Sequence, residues 1–434
     1  MRRSNLLVTG TAIAALLAPL AAHAQQPATG GAEPPAATQE APAAGAGAQG
    51  AQGTPITQDA TGQTGADQGT LHPEAQLEVA EEHTTVTLDA PDPHRLYVLD
   101  PVFPHLIASK VWVYNGDDGK LLGMMNTGYV PNMALSPDHG SLYVAETFWS
   151  RGARGERADV VTTYDPRTLS PTGEVILPRG RFLVVTKRHG ADVSPDGRYF
   201  YSFNMAPLTA ISVVDLQENA YKGEIEIPGC ALVFPTGERA FASLCADGSL
   251  LTATFDEGLT ADVKRSDPFF DAENDPVFEH VGFDRENKVL HMVSYSGRHY
   301  SADLSGDEPV FSEPWDFVSE EERTEGWRPG GWQLMSFHAA TGKLYVIMHE
   351  GEDWTHKAAG EQVWELDVEA KEVSRKIELE EEAMSIAVSR DDQPILAALS
   401  ESASVVVYDL ASGEPRSHIE EIGDSPFILM LEGN

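Results

Sequence analysis

Cysteine is nearly missing: the chain has 434 residues and only 2 Cys. That excludes a disulfide-scaffold protein, a Cys-based zinc cluster and a Cys-ligated iron–sulfur cluster. Basic residues are scarce too, with 30 Lys+Arg against 67 Asp+Glu and a formal net charge of -37. Phosphate would be repelled rather than neutralised, so neither nucleic acid nor an anionic membrane surface is expected as a partner. Past the N-terminus no run is long and apolar enough to span a bilayer. The sequence also lacks a Gly-x-Ser-x-Gly elbow, a phosphate-binding Gly-Lys-Ser/Thr loop, a dinucleotide fingerprint and a Cys-x-x-Cys-His haem site. No catalytic residue and no metal ligand set is therefore read from this chain. His349, Glu350 and His356 cluster, but without the His-Glu-x-x-His spacing that places two ligands on one helix face.

What is present begins with an address. Met1-Arg2-Arg3 is followed by an apolar stretch from Leu6 to Ala22 and by the small-x-small pattern Ala22-His23-Ala24. This is the layout of a secretory signal peptide cleaved near Ala24, so residues 1–24 are read as the signal and the mature protein as exported. Residues 25–77 are dominated by Ala, Gly, Gln, Pro and Thr, a composition that cannot bury enough apolar surface to offset its ordering entropy. They are read as a disordered tail, leaving residues 78–434 as the folded domain.

That domain is built on one recurring phrase, a β-rich run ending in Asp or Asn. It is clearest at Val111–Asn115, Val160–Asp165 and Ile211–Asp215, then at Leu251–Asp256, His299–Asp303, Val363–Asp367 and Val405–Asp409. The spacing averages roughly 50 residues, the length of a four-stranded blade. Turn-forming strings such as Ser136-Pro137-Asp138 and Ser194-Pro195-Asp196 lead into aromatic-rich strands. The expected fold is all-β, a seven-bladed β-propeller preceded by the signal peptide and the tail. The last strand, near Phe427–Met430, is expected to pair with N-terminal strands and close the ring. Ser319 and Glu322 have the spacing of a capping box, predicting one short surface helix that ends at Gly326.

Cys230 and Cys245 flank the Phe234-Pro235-Thr236-Gly237 turn, so a hairpin brings them onto neighbouring strands. In an oxidising compartment a disulfide is the expected outcome, with two buried thiols the alternative.

From His94 onward the sequence resembles the heavy (large) subunit of the quinoprotein amine dehydrogenases, the methylamine and aromatic amine dehydrogenases. The resemblance is carried by Tyr97-Val98-Leu99-Asp100-Pro101-Val102-Phe103, by Arg151–Asp159, by the Cys230/Cys245 pair, by Gly326-Trp327-Arg328-Pro329-Gly330-Gly331-Trp332-Gln333 and by Trp354-Thr355-His356-Lys357. It implies an oxidoreductase acting on the CH–NH2 group of primary amines, releasing aldehyde and ammonia. It further implies a periplasmic α2β2 heterotetramer and electron transfer to a blue copper protein, amicyanin- or azurin-like. The cofactor, tryptophan tryptophylquinone, is implied on a small Cys-rich light subunit and not on this chain. The resemblance also places Phe103 in the substrate channel, where a heavy-chain phenylalanine reaches toward the quinone; the polar, Pro-rich flanks suit a loop at a strand end. Part of the match favours the aromatic amine enzymes and part the methylamine ones, so substrate size stays open. Two alternatives rest on the residues alone: a free-standing periplasmic β-propeller binding protein without redox activity, and a lactonase-like propeller with a metal in its channel.

Overall fold

The computed structural model describes residues 87–432, all within the unit Glu82–Asn434. The signal peptide (residues 1–24), the whole of the tail (25–77) and the start of the domain to residue 86 lie outside the described residues.

The recurring phrases form antiparallel strands because they are short runs rich in β-branched and aromatic residues, many of them buried along nearly their whole length. The first sheet contains Arg95–Asp100, Lys110–Asn115 and Leu121–Asn126, and its innermost strand is the C-terminal Ile428–Leu431. Leu96 pairs with Leu431 and Leu99 with Ile428, so the two ends of the domain are stitched together as expected. Three more four-stranded sheets run from Tyr129 to Ile176, from Ala191 to Glu226 and from Cys230 to Arg265. A five-stranded sheet follows, from Gly282 to Asp316. Neighbouring sheets press apolar faces together; Leu96 and Val98 of the first, for example, pack on Ile395, Leu399 and Val405 of the last.

The expectation of seven separate blades is corrected. Five sheets have blade size, and the remaining repeats merge into one eight-stranded sheet from Trp327 to Ile419. The join is the strand Glu372–Val388, 17 residues long, which continues through Glu380-Glu381-Glu382 instead of breaking there. Its backbone stays extended because the Tyr408 hydroxyl accepts from the Glu380 N–H at 2.8 Å. The Glu381 carboxylate meanwhile accepts from the hydroxyls of Ser402 (3.1 Å) and Ser404, and Gly360 pairs with Ala383 beyond the bulge.

The short helix α1, Glu320–Glu325, has the predicted capping box: Ser319 Oγ accepts from the Glu322 N–H at 3.2 Å, and the Glu322 carboxylate accepts from the Ser319 N–H at 2.8 Å. Gly326 ends it at φ 102, a left-handed conformation that favours glycine.

Cys230 and Cys245 are directly opposed across the strands Cys230–Gly237 and Ala240–Cys245 and are joined in a disulfide. With a sequence separation of 15, the cross-link is worth about 3 kcal/mol. Replacing both residues by serine is expected to lower the free energy of unfolding by about that amount in denaturant titration. A loss under 0.5 kcal/mol would show that the hairpin is held without the bond.

Candidate functional site

In each sheet the innermost strand starts where the second strand ends. Tyr129 pairs with Thr147, Ala191 with Ser202, Cys230 with Cys245 and Ala383 with Ser400. The loops that follow those second strands therefore emerge on one face. They carry Phe103, Met205, Leu208 and Trp354, and Phe148 stands at the end of its strand just before such a loop; all are exposed large apolar side chains. Phe182 and Val184, in the segment entering the next innermost strand, are exposed on the same side: the Met205 N–H donates to the Phe182 carbonyl at 3.0 Å.

Phe103 is placed by a buried carboxylate. Asp100 ends its strand and accepts from the N–H groups of Val102 (2.8 Å), Asp424 (3.0 Å) and Ser425 (3.0 Å). It thereby fixes the loop after the second strand against the loop before the innermost one. Val102 adopts φ 49, turning the chain into the 3-10 segment Phe103–Ala108. Phe103 is 45% exposed, and its ring meets Phe427 edge-on at 5.0 Å. Phe427 packs on Trp332 at 4.5 Å, and Trp332 faces His280 at 5.4 Å. The Lys187 ammonium lies 5.9 Å from the centre of the Trp332 ring and pairs with Glu279. Burial, and secondarily the charge of Lys357, pull the Lys187 pKa down to about 8. An aromatic ladder thus runs from an exposed Phe103 to a cationic group at the inner strands.

Beside Lys187 opens an apolar groove of about 410 Å³, lined by Val184, Lys187, Phe203, Met205, Phe270 and Val277 and floored by the Cys230–Cys245 disulfide. The structure therefore sets Phe103, Cys230 and Cys245 on one face, with Phe103 and the disulfide each tied to Lys187, one through the aromatic ladder and the other through the groove. His349 and His356 are not brought together as ligands. The Thr355 hydroxyl lies 2.8 Å from His349 Nε2, and His356 stacks on Tyr295 at 4.1 Å. Among the described residues no group of three or more His, Cys, Asp or Glu is arranged to hold a metal ion. Lys187 and Glu279 escaped the sequence reading, and Phe427 entered it only as part of the closing strand. The usable signal was positional, since each lies in the short segment leading into an innermost strand, ahead of Ala191, Gly282 and Ile428.

The sheets and their apolar, aromatic loop face define the class of protein, an all-β propeller. The family model for methylamine dehydrogenase heavy chain matches residues 92–432, and the chain belongs to that family. It is 34% identical to the methylamine dehydrogenase heavy chain of Methylophilus methylotrophus, covering 83% of this chain and 89% of that one. It is also 34% identical to that of Paracoccus versutus, over 86% and 87% of the two chains. Among solved structures, a dihydro-heme d1 dehydrogenase in complex with DHE aligns with a TM-score of 0.52 at 16% identity, covering 81% of this chain and 78% of that one. The Cps50 (Swd1) β-propeller domain of Myceliophteria thermophila aligns with a TM-score of 0.52 at 11% identity, covering 75% and 97%. At these identities the two structures speak to the fold alone. Heavy-chain membership makes this an amine dehydrogenase subunit and implies a light-subunit partner.

Proposed function

We propose that this chain is the heavy, non-cofactor subunit of a periplasmic quinoprotein amine dehydrogenase, scaffolding a small Cys-rich light subunit on its loop face and lining the path of a primary amine with Phe103. The observation that carries the reading is the exposed Phe103 at the head of an aromatic ladder, on the same face as the apolar groove. Exposed aromatic and aliphatic anchors around a groove are what a stable interface core requires.

The residues of this chain do not suit the tryptophylquinone itself. Its nearest tryptophan rings, Trp327 and Trp364, are 5.7 Å apart and tilted, and Trp364 is fully buried, out of reach of any amine. The cofactor is assigned to the light subunit, with electrons leaving to a blue copper protein in an α2β2 assembly. No step of the oxidation is routed through a residue here. What this chain supplies is orientation and exclusion of water: a rigid apolar wall, set by Asp100, against which the substrate side chain packs.

Phe103→Ala in the assembled enzyme is expected to change the ratio of kcat/KM for a bulky to a small primary amine by about tenfold or more, the scale of one apolar pocket contact. Quinone formation on the light subunit stays intact. If the ratio is unchanged, Phe103 is no part of the channel.

A further inference from the structure

The string Arg151–Asp159 begins in the turn between the strands Leu142–Trp149 and Arg157–Tyr164. That turn follows a second strand and so stands on the loop face. Its shape is fixed from within. Trp149 pairs with Arg157, the Ser150 N–H donates to the Glu156 carbonyl at 2.9 Å, and the Arg151 N–H donates to the Arg154 carbonyl at 3.0 Å. Gly155 closes the turn at φ 103, and a Cβ at that position would run into Ser150 Oγ. Little ordering is therefore left for a partner to impose.

The turn is continuous with the apolar groove. Arg157 pairs with Asp159 at 2.8 Å, lies 5.7 Å from the centre of the Trp149 ring and donates to the Arg181 carbonyl. The segment that follows Arg181 supplies Leu183, Val184 and Lys187 to the groove lining.

The charges of this corner are only partly used. Arg157 has Asp159, and Arg179 has Glu224 at 3.7 Å. Arg151 and Arg154 are exposed, and among the described residues neither has a carboxylate within ion-pairing distance; Glu156, the acid of the same turn, pairs with neither. In a chain of net charge -37 this is a local reversal of sign. An acidic partner is repelled by most of such a surface and drawn to this point, which sets its direction of approach. Guanidiniums suit the task, because their planar donors take a carboxylate two bonds at a time.

We infer that Arg151 and Arg154 receive an acidic patch of the light subunit, beside the groove that takes its apolar contacts. The inference rests on the heavy-subunit reading and adds to it the charge of the partner's facing surface. Continuity with the groove selects the light subunit over the electron acceptor.

The test is the affinity of this chain for the light subunit separated from the same enzyme, titrated at about 50 and 500 mM NaCl, a range over which surface charges become largely screened. Arg151→Glu combined with Arg154→Glu is expected to weaken binding about tenfold at the lower salt and hardly at all at the higher. Arg151→Lys combined with Arg154→Lys is expected to keep most of the affinity. Both side chains project into water from a turn, so neither exchange should move the thermal unfolding midpoint by more than about 2 °C. Wild-type affinity and salt dependence in the double Glu variant overturn the inference and leave the heavy-subunit reading standing. So does a variant that binds the light subunit normally but passes electrons more slowly to the copper protein, which would give the turn to that acceptor. A wild-type chain that binds no light subunit at either salt overturns both.

Discussion

Val184→Asp combined with Leu208→Asp is expected to abolish copurification with the light subunit while leaving this chain folded. The two side chains are 63% and 57% exposed; Val184 lines the apolar groove and Leu208 lies between Met205 and Thr209, which line it. Because water already covers them in the free chain, the exchange changes its folding free energy by only about 0.5 kcal/mol. At an interface the balance reverses. Each lost aliphatic contact removes about 1.5–3 kcal/mol of burial, and each carboxylate must be desolvated without a partner. Together these predict an affinity lower by roughly a thousandfold or more. The check is pull-down of the light subunit alongside thermal unfolding of the variant. Wild-type recovery of the complex would move the docking site away from this face.

Acid is expected to destabilise the chain steeply well before its carboxylates are neutralised. Burial draws His189 and His291 down to about 4, and burial together with the neighbouring His291 draws His299 to about 3. These imidazoles are neutral when folded, but protonate near 6.5 when unfolded. Their contribution is therefore whole above pH 6.5 and lost as pH falls toward 4, since only the unfolded chain takes up protons in that window. At pH 5 each group has lost about 2 kcal/mol, or roughly 6 kcal/mol for the three, comparable to a typical domain's whole stability. Glu146, raised by burial, acts with the opposite sign, because its folded form gains a proton more readily. Denaturant titrations at pH 7, 6 and 5 should show the decline. His299→Gln should flatten it by about 1.4 kcal/mol per pH unit. A stability independent of pH across that range would mean the histidines are solvated.

The strands and their closure were legible because their signals are local. Runs such as Val111–Asn115 and Val405–Asp409 are β-rich over their whole length, and Ile428–Leu431 is a wholly apolar strand. The capping box at Ser319 and Glu322 and the hairpin between Cys230 and Cys245 are likewise short-range chemistry. The merging of the last repeats was not legible. In a chain this acidic Glu380-Glu381-Glu382 reads only as a solvated face, and what holds it extended is the hydroxyl of Tyr408, 28 residues away. The same limit hid the ladder behind Phe103. Phe427 reaches Phe103 only because the ring closes, and Lys187 reaches Trp332 only because inner strands from distant repeats converge.

The central claim, that this chain is a heavy subunit completed by a quinone-bearing partner, is tested most directly by purifying it from its native source without tags. The account predicts stoichiometric elution with a small Cys-rich chain and a quinone absorbance band that is bleached by a primary amine. Elution as a colourless single chain, with a spectrum unchanged by amine, would contradict it.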